Sequence, residues 1–396
     1  MKGWSSAPLG DLLERRSEWI TLDPDTDYKQ ATVRLWGKGV ALRGVVKGAA
    51  IAASSQLRIR QGDFIMSRID ARHGAFGLVP EEMDGAVVSQ DFPAFDVRED
   101  RLLPGFLNWM SKTPFFIDLC RSASEGTTNR VRLKEDRFFS QAVPLPPISE
   151  QRLMVAQLDA AAERSERHRL ACEEVQREVD ATLLAAFREI IKNAPLARMD
   201  DIAPLVRRVT EIDPDCAYPE LGIRSFGKGT FHKPAINGMD LGSKKLFKIA
   251  SGDLLFNIVF AWEGAIAIAS EDDHGRFGSH RFLTCVADAS RTTSTFLRFY
   301  FLTDEGMRKI GEASPGGAGR NRTLGLKGLE VIQVPVPSLD AQLWFDGLQA
   351  KAASIRAEQA KSLEDMGRLI PSLLDRAFNG EAADESVAPE KVRAKA

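Results

Sequence analysis

Two glycine-rich basic segments carry side chains suited to reading nucleic-acid bases. The first is Gly126-Thr-Thr-Asn129-Arg130-Val-Arg132, and the second is Gly316-Gly-Ala-Gly-Arg320-Asn321-Arg322. Glycine lets a backbone approach a phosphate closely, while Arg and Asn can form paired hydrogen bonds with the edges of guanine and adenine. Because the Gly-x-x-x-Arg-x-Arg pattern occurs in both halves of the chain, it favours a binding loop over solvated surface charge.

Other cationic and amide side chains extend this set, and ordinary surface charge is the alternative for each of them. The formal net charge is −2, so any case for nucleic-acid binding must be local. In the first half the candidates for DNA contact are Lys38, Arg68, Arg72, Gln90, Asn129, Arg130 and Arg132. In the second half they are Arg224, Lys228, Lys233, Lys244, Lys245, His280, Arg281, Arg320, Asn321 and Arg322.

The remaining motifs do not form a catalytic constellation. The segment from Gly222 to Gly229 resembles a phosphate-binding loop, but glycine stands where the magnesium-binding Ser or Thr belongs, so a turn between strands is the better interpretation. The Asp23/Asp25 and Asp213/Asp215 pairs indicate turns. The five histidines form no metal-ligand pattern, and no nucleophile elbow or aminomethyltransferase motif occurs. The sequence therefore predicts no catalytic residue and no metal site.

Composition sets broad limits. A chain of 396 residues, 44% hydrophobic and 27% charged, is typical of a protein with two or three globular domains. Four cysteines without a Cys-x-x-Cys pair favour the reducing cytoplasm. No apolar run reaches the ~20 residues that span a bilayer. The first residues lack an apolar signal region, so we expect a cytoplasmic protein without a membrane partner.

The two halves repeat each other. A shift of 190 residues carries Gly62-Asp63 onto Gly252-Asp253, and the same shift carries Gly37-Lys-Gly39 onto Gly227-Lys-Gly229. With one more residue inserted, Val143-Pro-Leu-Pro146 falls on Val334-Pro-Val-Pro337. Such matches, in order and nearly without gaps, indicate an internal duplication.

Each half ends in an unusually long helical pattern. Pro144, Pro146 and Pro147 require the chain to arrive extended, and Ser149 is expected to cap the helix that follows. In the second helix Pro371 should produce a kink or end the regular part. Two amphipathic helices of this length should pack as an antiparallel coiled coil. The apolar positions expected between them, here named the seam, are Leu153, Leu158, Val175, Val179, Leu183, Leu343, Leu348, Ile355, Leu363 and Met366.

The predicted fold class is α+β, with two duplicated mixed domains separated by two long helices. We expect a first mixed domain at 1–148, a central long helix at 149–193, a second mixed domain at 194–337 and a distal long helix at 338–380. Residues 381–396 read as a polar, disordered tail.

The junction Pro144-Leu-Pro-Pro-Ile-Ser-Glu-Gln151, followed by a long helix and duplicated as a unit, resembles the DNA specificity subunit of type I restriction–modification systems. The segments 221–229, 252–257 and 277–281 look like target-recognition sequence of that family. The second junction departs from the pattern, because Pro337-Ser-Leu-Asp-Ala-Gln342 lacks the second proline and has Ala for Glu.

The resemblance implies that each globular domain reads one half of a bipartite site in double-stranded DNA. The helices would set the spacer and dock two methyltransferase subunits. Motor and nuclease subunits would complete the complex and take part in phage defence. The resemblance also implies that this chain is non-catalytic and binds no cofactor. S-adenosylmethionine, ATP and magnesium would then be bound by partner subunits.

Three alternatives remain open. The chain could be a specificity subunit of another phage-defence complex with the same architecture, an enzyme that fuses nuclease or methyltransferase activity to its own specificity domains, or a structural scaffold. Turnover by the purified chain would favour the enzyme. Sequence-selective DNA binding would exclude the scaffold.

Overall fold

The computed structural model describes residues 3–126, 131–316 and 322–378. The chain divides into two compact units. The first combines the described residues up to Ala171 with those from Ala360 onward, and the second comprises Cys172–Gln359. Each unit therefore contains one mixed domain and parts of both long helices.

The first unit begins with ten strands and continues with helices. The strands are β1 Ser5–Pro8, β2 Leu13–Arg15, β3 Trp19–Thr21, β4 Asp27–Val33, β5 Val40–Lys47, β6 Ser55–Arg58, β7 Phe64–Met66, β8 Phe76–Leu78, β9 Val87–Val88 and β10 Ala94–Val97. They are followed by α1 Pro104–Ser111, α2 Pro114–Ser122, β11 Ser124–Glu125, β12 Arg132–Leu133, α3 Glu135–Phe139, β13 Ala142–Leu145 and the long α4 Ile148–Ile191, whose later part belongs to the second unit.

The second unit follows nearly the same order. Its first elements are β14 Leu196–Arg198, α5 Met199–Ile202, β15 Val209–Thr210, β16 Ala217–Ile223, β17 Thr230–Asn237, α6 Gly238–Leu241, β18 Leu246–Lys248 and β19 Leu254–Asn257. The remaining elements are β20 Ile266–Ile268, β21 Phe277–Ser279, β22 Phe282–Cys285, α7 Ser294–Phe301, α8 Asp304–Glu312, α9 Leu326–Glu330, β23 Gln333–Pro335 and the long α10 Leu339–Phe378, whose end belongs to the first unit.

The five-stranded sheets share one topology in the two units, whereas the second sheet has four strands in the first unit and three in the second. A five-stranded sheet has the order β3-β6-β9-β4-β5 in the first unit and β15-β18-β21-β16-β17 in the second. In both, a long antiparallel hairpin forms one edge, and its inner strand pairs in parallel with a short strand. A second sheet, β2-β10-β7-β8 or β20-β19-β22, packs against the helices. The predicted α+β fold with two duplicated domains and two long helices is therefore confirmed.

The repeated Gly-Asp pair has a structural explanation. Asp63 is buried and accepts hydrogen bonds from Arg16 Nε at 2.8 Å and from the Arg60 backbone N–H at 2.9 Å. In the second unit the Asp253 carboxylate accepts two bonds from the Arg208 guanidinium, at 2.6 and 3.0 Å, and one from a backbone N–H. A buried carboxylate needs such partners because burial without them is costly.

Each long helix is joined to its domain by a buried glutamine. The Gln151 side chain donates to the carbonyls of Arg101 and Pro146, both at 2.9 Å, and accepts from Leu103 N–H at 2.8 Å. Its counterpart Gln342 contacts the corresponding backbone groups of its own domain. Both residues are 0% exposed, so these bonds are shielded from water. We name this pair of contacts the glutamine junctions.

The predicted start of α4 is wrong by one position. The helix begins at Ile148, and the Pro147 carbonyl accepts the first helical bonds from the N–H groups of Glu150 and Gln151 at 2.9 and 3.0 Å. Ser149 therefore lies inside the first turn and is not the cap. Apolar spacing in the sequence alone predicts one helix from Pro104 to Ser122. The structure has two helices there, because Thr113 caps a new helix that opens with Pro114.

The two long helices run antiparallel within each unit. In the first unit His168 Nε2 lies 2.8 Å from Ser362 Oγ. In the second unit Gln359 Nε2 donates to the Cys172 carbonyl at 3.4 Å, while the rings of Phe187 and Phe345 lie 5.4 Å apart. Numbers rise along one helix as they fall along the other, which defines the direction. The coiled-coil geometry of this packing stays a prediction. The second helix continues past Pro371 to Phe378.

The seam prediction is only partly matched by burial. Leu158 and Leu183 are buried, and Val179 and Leu348 pack against a domain core. Leu153 and Leu343 are wrong as seam residues, because they are 59% and 54% exposed. Among the others, Met366 is half-buried, and the most exposed are Val175, Ile355 and Leu363. The helix ends instead bury Met154, Phe187, Phe345 and Phe378 in the domain cores.

Candidate nucleic-acid interface

The two long hairpins end in matching tips. The first tip joins β4 to β5 and contains Trp36 and Gly37–Gly39; the second joins β16 to β17 and contains Phe226 and Gly227–Gly229. We name these two segments the aromatic tips. Trp36 has φ +62° and Phe226 has φ +61°, and no other non-glycine residue of the described chain has a positive φ.

Backbone hydrogen bonds fix each tip. Trp36 N–H donates to the His73 carbonyl at 2.9 Å, and Gly37 N–H donates to the Gly74 carbonyl at 2.8 Å. Phe226 and Gly227 donate in the same way to Glu263 and Gly264, both at 2.8 Å. A methyl group on Gly74 would lie only 3.1 Å from the Gly37 nitrogen, so glycine permits this approach. The segment that resembles a phosphate loop is therefore the turn between two strands, as predicted.

The candidate DNA-contact residues of the first domain differ in solvent exposure. Lys38, Gln90 and Arg132 are exposed, whereas Arg68 and Arg72 are half-buried. Arg72 Nε lies 3.1 Å from His73 Nε2, and the His73 ring centroid lies 5.9 Å from that of Trp36, so this part of the surface adjoins the first tip. Asn129 and Arg130 lie outside the described residues.

Arg68 is occupied by an ion-pair cluster. Its guanidinium bonds Glu135, which also receives Arg15 Nε at 3.1 Å. Burial lowers the pKa of Arg68, and the nearby Arg15 lowers it further. Arg68 Nε and Asp91 Oδ1 are buried without a hydrogen-bond partner, although Arg132 Nη1 lies 3.4 Å from that oxygen. This cluster joins the first residue of α3 to the segment after β7, so Arg68 has a structural role.

All described candidates of the second domain are exposed. Four of them lie over aromatic rings: Arg224 at 4.9 Å and Lys233 at 6.0 Å from the centre of Phe231, Lys228 at 5.9 Å from Phe226, and Arg322 at 5.9 Å from Trp262. The others are Lys244, Lys245, His280 and Arg281. Arg320 and Asn321 lie outside the described residues. Exposed cations can make phosphate contacts, while a stacked guanidinium is held in a defined orientation.

Sequence reasoning missed two features of this surface. Trp36 and Phe226 were not among the candidates, although the shift of 190 residues aligns them, because they share aromatic character and not residue identity. Arg207 was also missed. Its guanidinium stacks 4.5 Å from the Phe247 ring, and burial lowers its pKa. Arg15-Arg16 and Arg207-Arg208 are related by a shift of 192, so the alignment at 190 could not show them.

The acidic pairs form turns, as predicted. Asp23 Oδ1 accepts from Asp25 N–H at 2.8 Å, and Asp213 Oδ1 accepts from Asp215 N–H at 3.0 Å. Within residues 3–126, 131–316 and 322–378, no three His, Cys, Asp or Glu side chains are arranged to hold a metal ion. None of the helices in this part of the chain combines the length and apolar character needed to cross a membrane.

The architecture defines a class of protein built from two copies of an α+β domain and two long antiparallel helical segments. Solved structures of this class are found in type I restriction–modification systems. The HsdS subunit from Thermoanaerobacter tengcongensis has a TM-score of 0.55 and 18% identity, over 96% of this chain and 97% of the other.

Two further structures extend the match. A chain from a study of complex assembly and conformational transition in the type I restriction–modification system has a TM-score of 0.65 and 18% identity, over 96% of this chain and 98% of that one. The type I restriction–modification S subunit from M. genitalium has a TM-score of 0.51 and 12% identity, over 96% and 97%. No protein-family model and no curated protein matches the chain. The predicted resemblance to specificity subunits is therefore confirmed in the fold.

Proposed function

We propose that this chain is the DNA-binding specificity subunit of a type I restriction–modification complex. One observation carries the proposal: the duplicated α+β domains with their two long helices match specificity-subunit structures over 96% of the chain. Each domain reads one half of a bipartite site in double-stranded DNA. The cations Lys38, Lys228 and Arg281, exposed on two domains of one topology, support this assignment.

The same proposal assigns spacing to the helices. Helix α4 has 44 residues and α10 has 40. At ~1.5 Å per residue these lengths are about 66 and 60 Å, close to two turns of B-DNA at ~34 Å each. In this proposal the helix lengths set the gap between the two half-sites.

Methyltransferase subunits would dock on the helices. Leu153, Leu343 and Trp344 are large apolar side chains in the first turns of α4 and α10, and each is more than half exposed. Leu343 and Trp344 are neighbours in sequence, and adjoining exposed apolar side chains commonly mark protein–protein contacts. In this proposal the chain itself is non-catalytic and acts in the cytoplasm with motor and nuclease subunits. Those partners bind S-adenosylmethionine, ATP and magnesium.

Methylome sequencing tests the recognition function. A host that expresses the chain with the subunits encoded beside it should methylate one motif made of two short half-sites separated by a fixed gap. A continuous motif, or no methylation, would contradict the proposal. A specificity subunit of another defence complex remains the second candidate, and the genes adjoining this one distinguish the two. Turnover by the chain alone with magnesium and S-adenosylmethionine would favour a fused enzyme.

Shortening both helices tests the spacer. We expect that removing residues 168–174 and 356–362, two turns that include the His168–Ser362 and Cys172–Gln359 contacts, shortens the gap by about three base pairs. The expectation follows from ~10 Å of lost helix. Replacing the same segments with Ala-, Glu- and Lys-rich helix of equal length is the matched control and should leave the gap unchanged. An unaltered gap after the deletion would exclude the spacer role.

A further inference from the structure

The aromatic tips combine strain with exposure. An L-residue with a bulky side chain rarely adopts a left-handed backbone, which glycine or asparagine would adopt at lower cost. Trp36 and Phe226 nevertheless have it, and their side chains are 68% and 75% exposed. Because these rings are mostly exposed, their burial contributes little that could offset the backbone strain. Strained residues that are fixed by their surroundings often serve a function.

The surroundings of each tip suit a polyanion. Arg34 and Lys38 lie on either side of Trp36 in sequence, and Arg224 and Lys228 occupy the same positions around Phe226. Gly37, Gly39, Gly227 and Gly229 all have positive φ, and a methyl group on Gly39 or Gly229 would meet no neighbouring atom within 4 Å. A backbone without side chains on its open face can approach phosphates closely.

The charged groups beside the second tip differ from those beside the first. The Glu263 carboxylate lies beside it and accepts from Ser225 Oγ at 3.1 Å. Arg298 is partly buried under the tip and donates to the Gly227 carbonyl at 2.6 Å, and burial lowers its pKa. In the first tip the position of Glu263 is taken by His73. The elements common to both tips are therefore the ring, the glycines and the two flanking cations.

We infer that each aromatic tip is a wedge that contacts the base stack of double-stranded DNA within its own half-site. A rigid ring that projects between basic residues can press into a base step, while the cations hold the adjoining phosphates. The inference rests on the proposed function and adds to it the residues that deform DNA. Phe226 also borders a groove of about 670 Å³ with Leu183 and Phe299, so docking of a protein segment is the competing outcome.

The test replaces each ring with a residue that tolerates the same backbone. Trp36→Asn and Phe226→Asn should fold normally, because asparagine adopts a positive φ more readily than tryptophan or phenylalanine. Trp36→Phe keeps the ring and is expected to act as wild type. Met239→Asn, at an exposed apolar position in the second domain, is the matched control. Thermal unfolding checks that all four variants fold.

Two readouts are measured with the complete chain bound to its methyltransferase partners and to the methylated motif. Loss of one stacked ring should weaken DNA binding about 5- to 150-fold. 2-Aminopurine is placed in each half-site in turn. Trp36→Asn should abolish the fluorescence increase on binding in one half-site only, and Phe226→Asn should abolish it in the other half-site only. Unchanged affinity and fluorescence would overturn the wedge. The wedge would also be overturned if the Asn variants bound the methyltransferase partner more weakly in the absence of DNA. If wild type itself fails to bind the motif, the proposed function fails and the wedge with it.

Discussion

Removing one glutamine junction should destabilise one unit and leave the other intact. We consider Gln151→Met, which keeps the length and volume of the side chain but cannot form hydrogen bonds. The change leaves the carbonyls of Arg101 and Pro146 and the N–H of Leu103 without their partner, in a place where the side chain is 0% exposed. Gln342→Met removes the corresponding three bonds in the second unit and a fourth, which the Thr292 hydroxyl donates to Gln342 Oε1 at 2.9 Å.

The magnitude follows from the number of bonds. Each buried hydrogen bond contributes about 1 kcal/mol net, and an unsatisfied buried group costs about 1–3 kcal/mol. Three bonds lost at Gln151 therefore predict a decrease of about 3–5 kcal/mol in the free energy of unfolding of the first unit. In a unit of this size, 1 kcal/mol corresponds to roughly 2–4 °C, so the unfolding temperature should fall by at least about 6 °C.

Hydrogen exchange measured by mass spectrometry resolves the two units. In Gln151→Met the peptides that contain Leu103 and the start of α4 should exchange faster, while those around Thr293 keep their protection. Gln342→Met should show the reverse. Gln157→Met is the matched control, because Gln157 is exposed on the same helix and should change stability by no more than about 0.5 kcal/mol. Equal effects of Gln151→Met and Gln157→Met would refute the reasoning.

Two further predictions concern titratable groups. Iodoacetamide at pH 8 should modify Cys216, because this thiol is exposed, although its hydrogen bond to Asp213 raises its pKa. It should spare Cys285 until the chain unfolds, because Cys285 is buried and burial raises its pKa to about 12; peptide mass spectrometry measures both. Asp273 is buried, yet bonds from Ser270, Thr230 and His232 lower its pKa. Its stabilising effect is therefore present above about pH 4 and lost as pH falls further. In urea unfolding, Asp273→Asn should be less stable than wild type at pH 7, and the difference in stability should shrink below about pH 4.

The long helices could be predicted closely from the sequence because their signals are local. Prolines fix the extended entry, and apolar spacing over some forty residues allows no strand interpretation. The predicted 149–193 and 338–380 compare with Ile148–Ile191 and Leu339–Phe378. The break between α1 and α2 was missed because apolar spacing continues through it, although Thr113-Pro114 is a recognisable helix start.

The seam could not be predicted to the same accuracy for a physical reason. A helix that packs on two surfaces has two apolar faces, and spacing alone cannot assign each face to a neighbour. Met154 and Phe187 belong to the domain cores, whereas Leu153 projects outward one position from Met154. Similarly, whether Arg68 is free to contact a ligand depends on its ion pair with Glu135, which lies 67 residues away in sequence. Such partners are set by the tertiary fold.

The internal duplication separates structural positions from candidate recognition positions. Asp63 and Asp253 keep one residue type because the backbone groups around them are the same in both units. The tips keep an aromatic ring, the glycines and the lysine. Other exposed or half-buried positions differ: the residues related by 190 to Arg72 and Gln90 are Trp262 and His280. Under the proposed function, two different half-sites would require different side chains at such positions. The divergence at Arg72 and Gln90 on a shared framework agrees with that expectation.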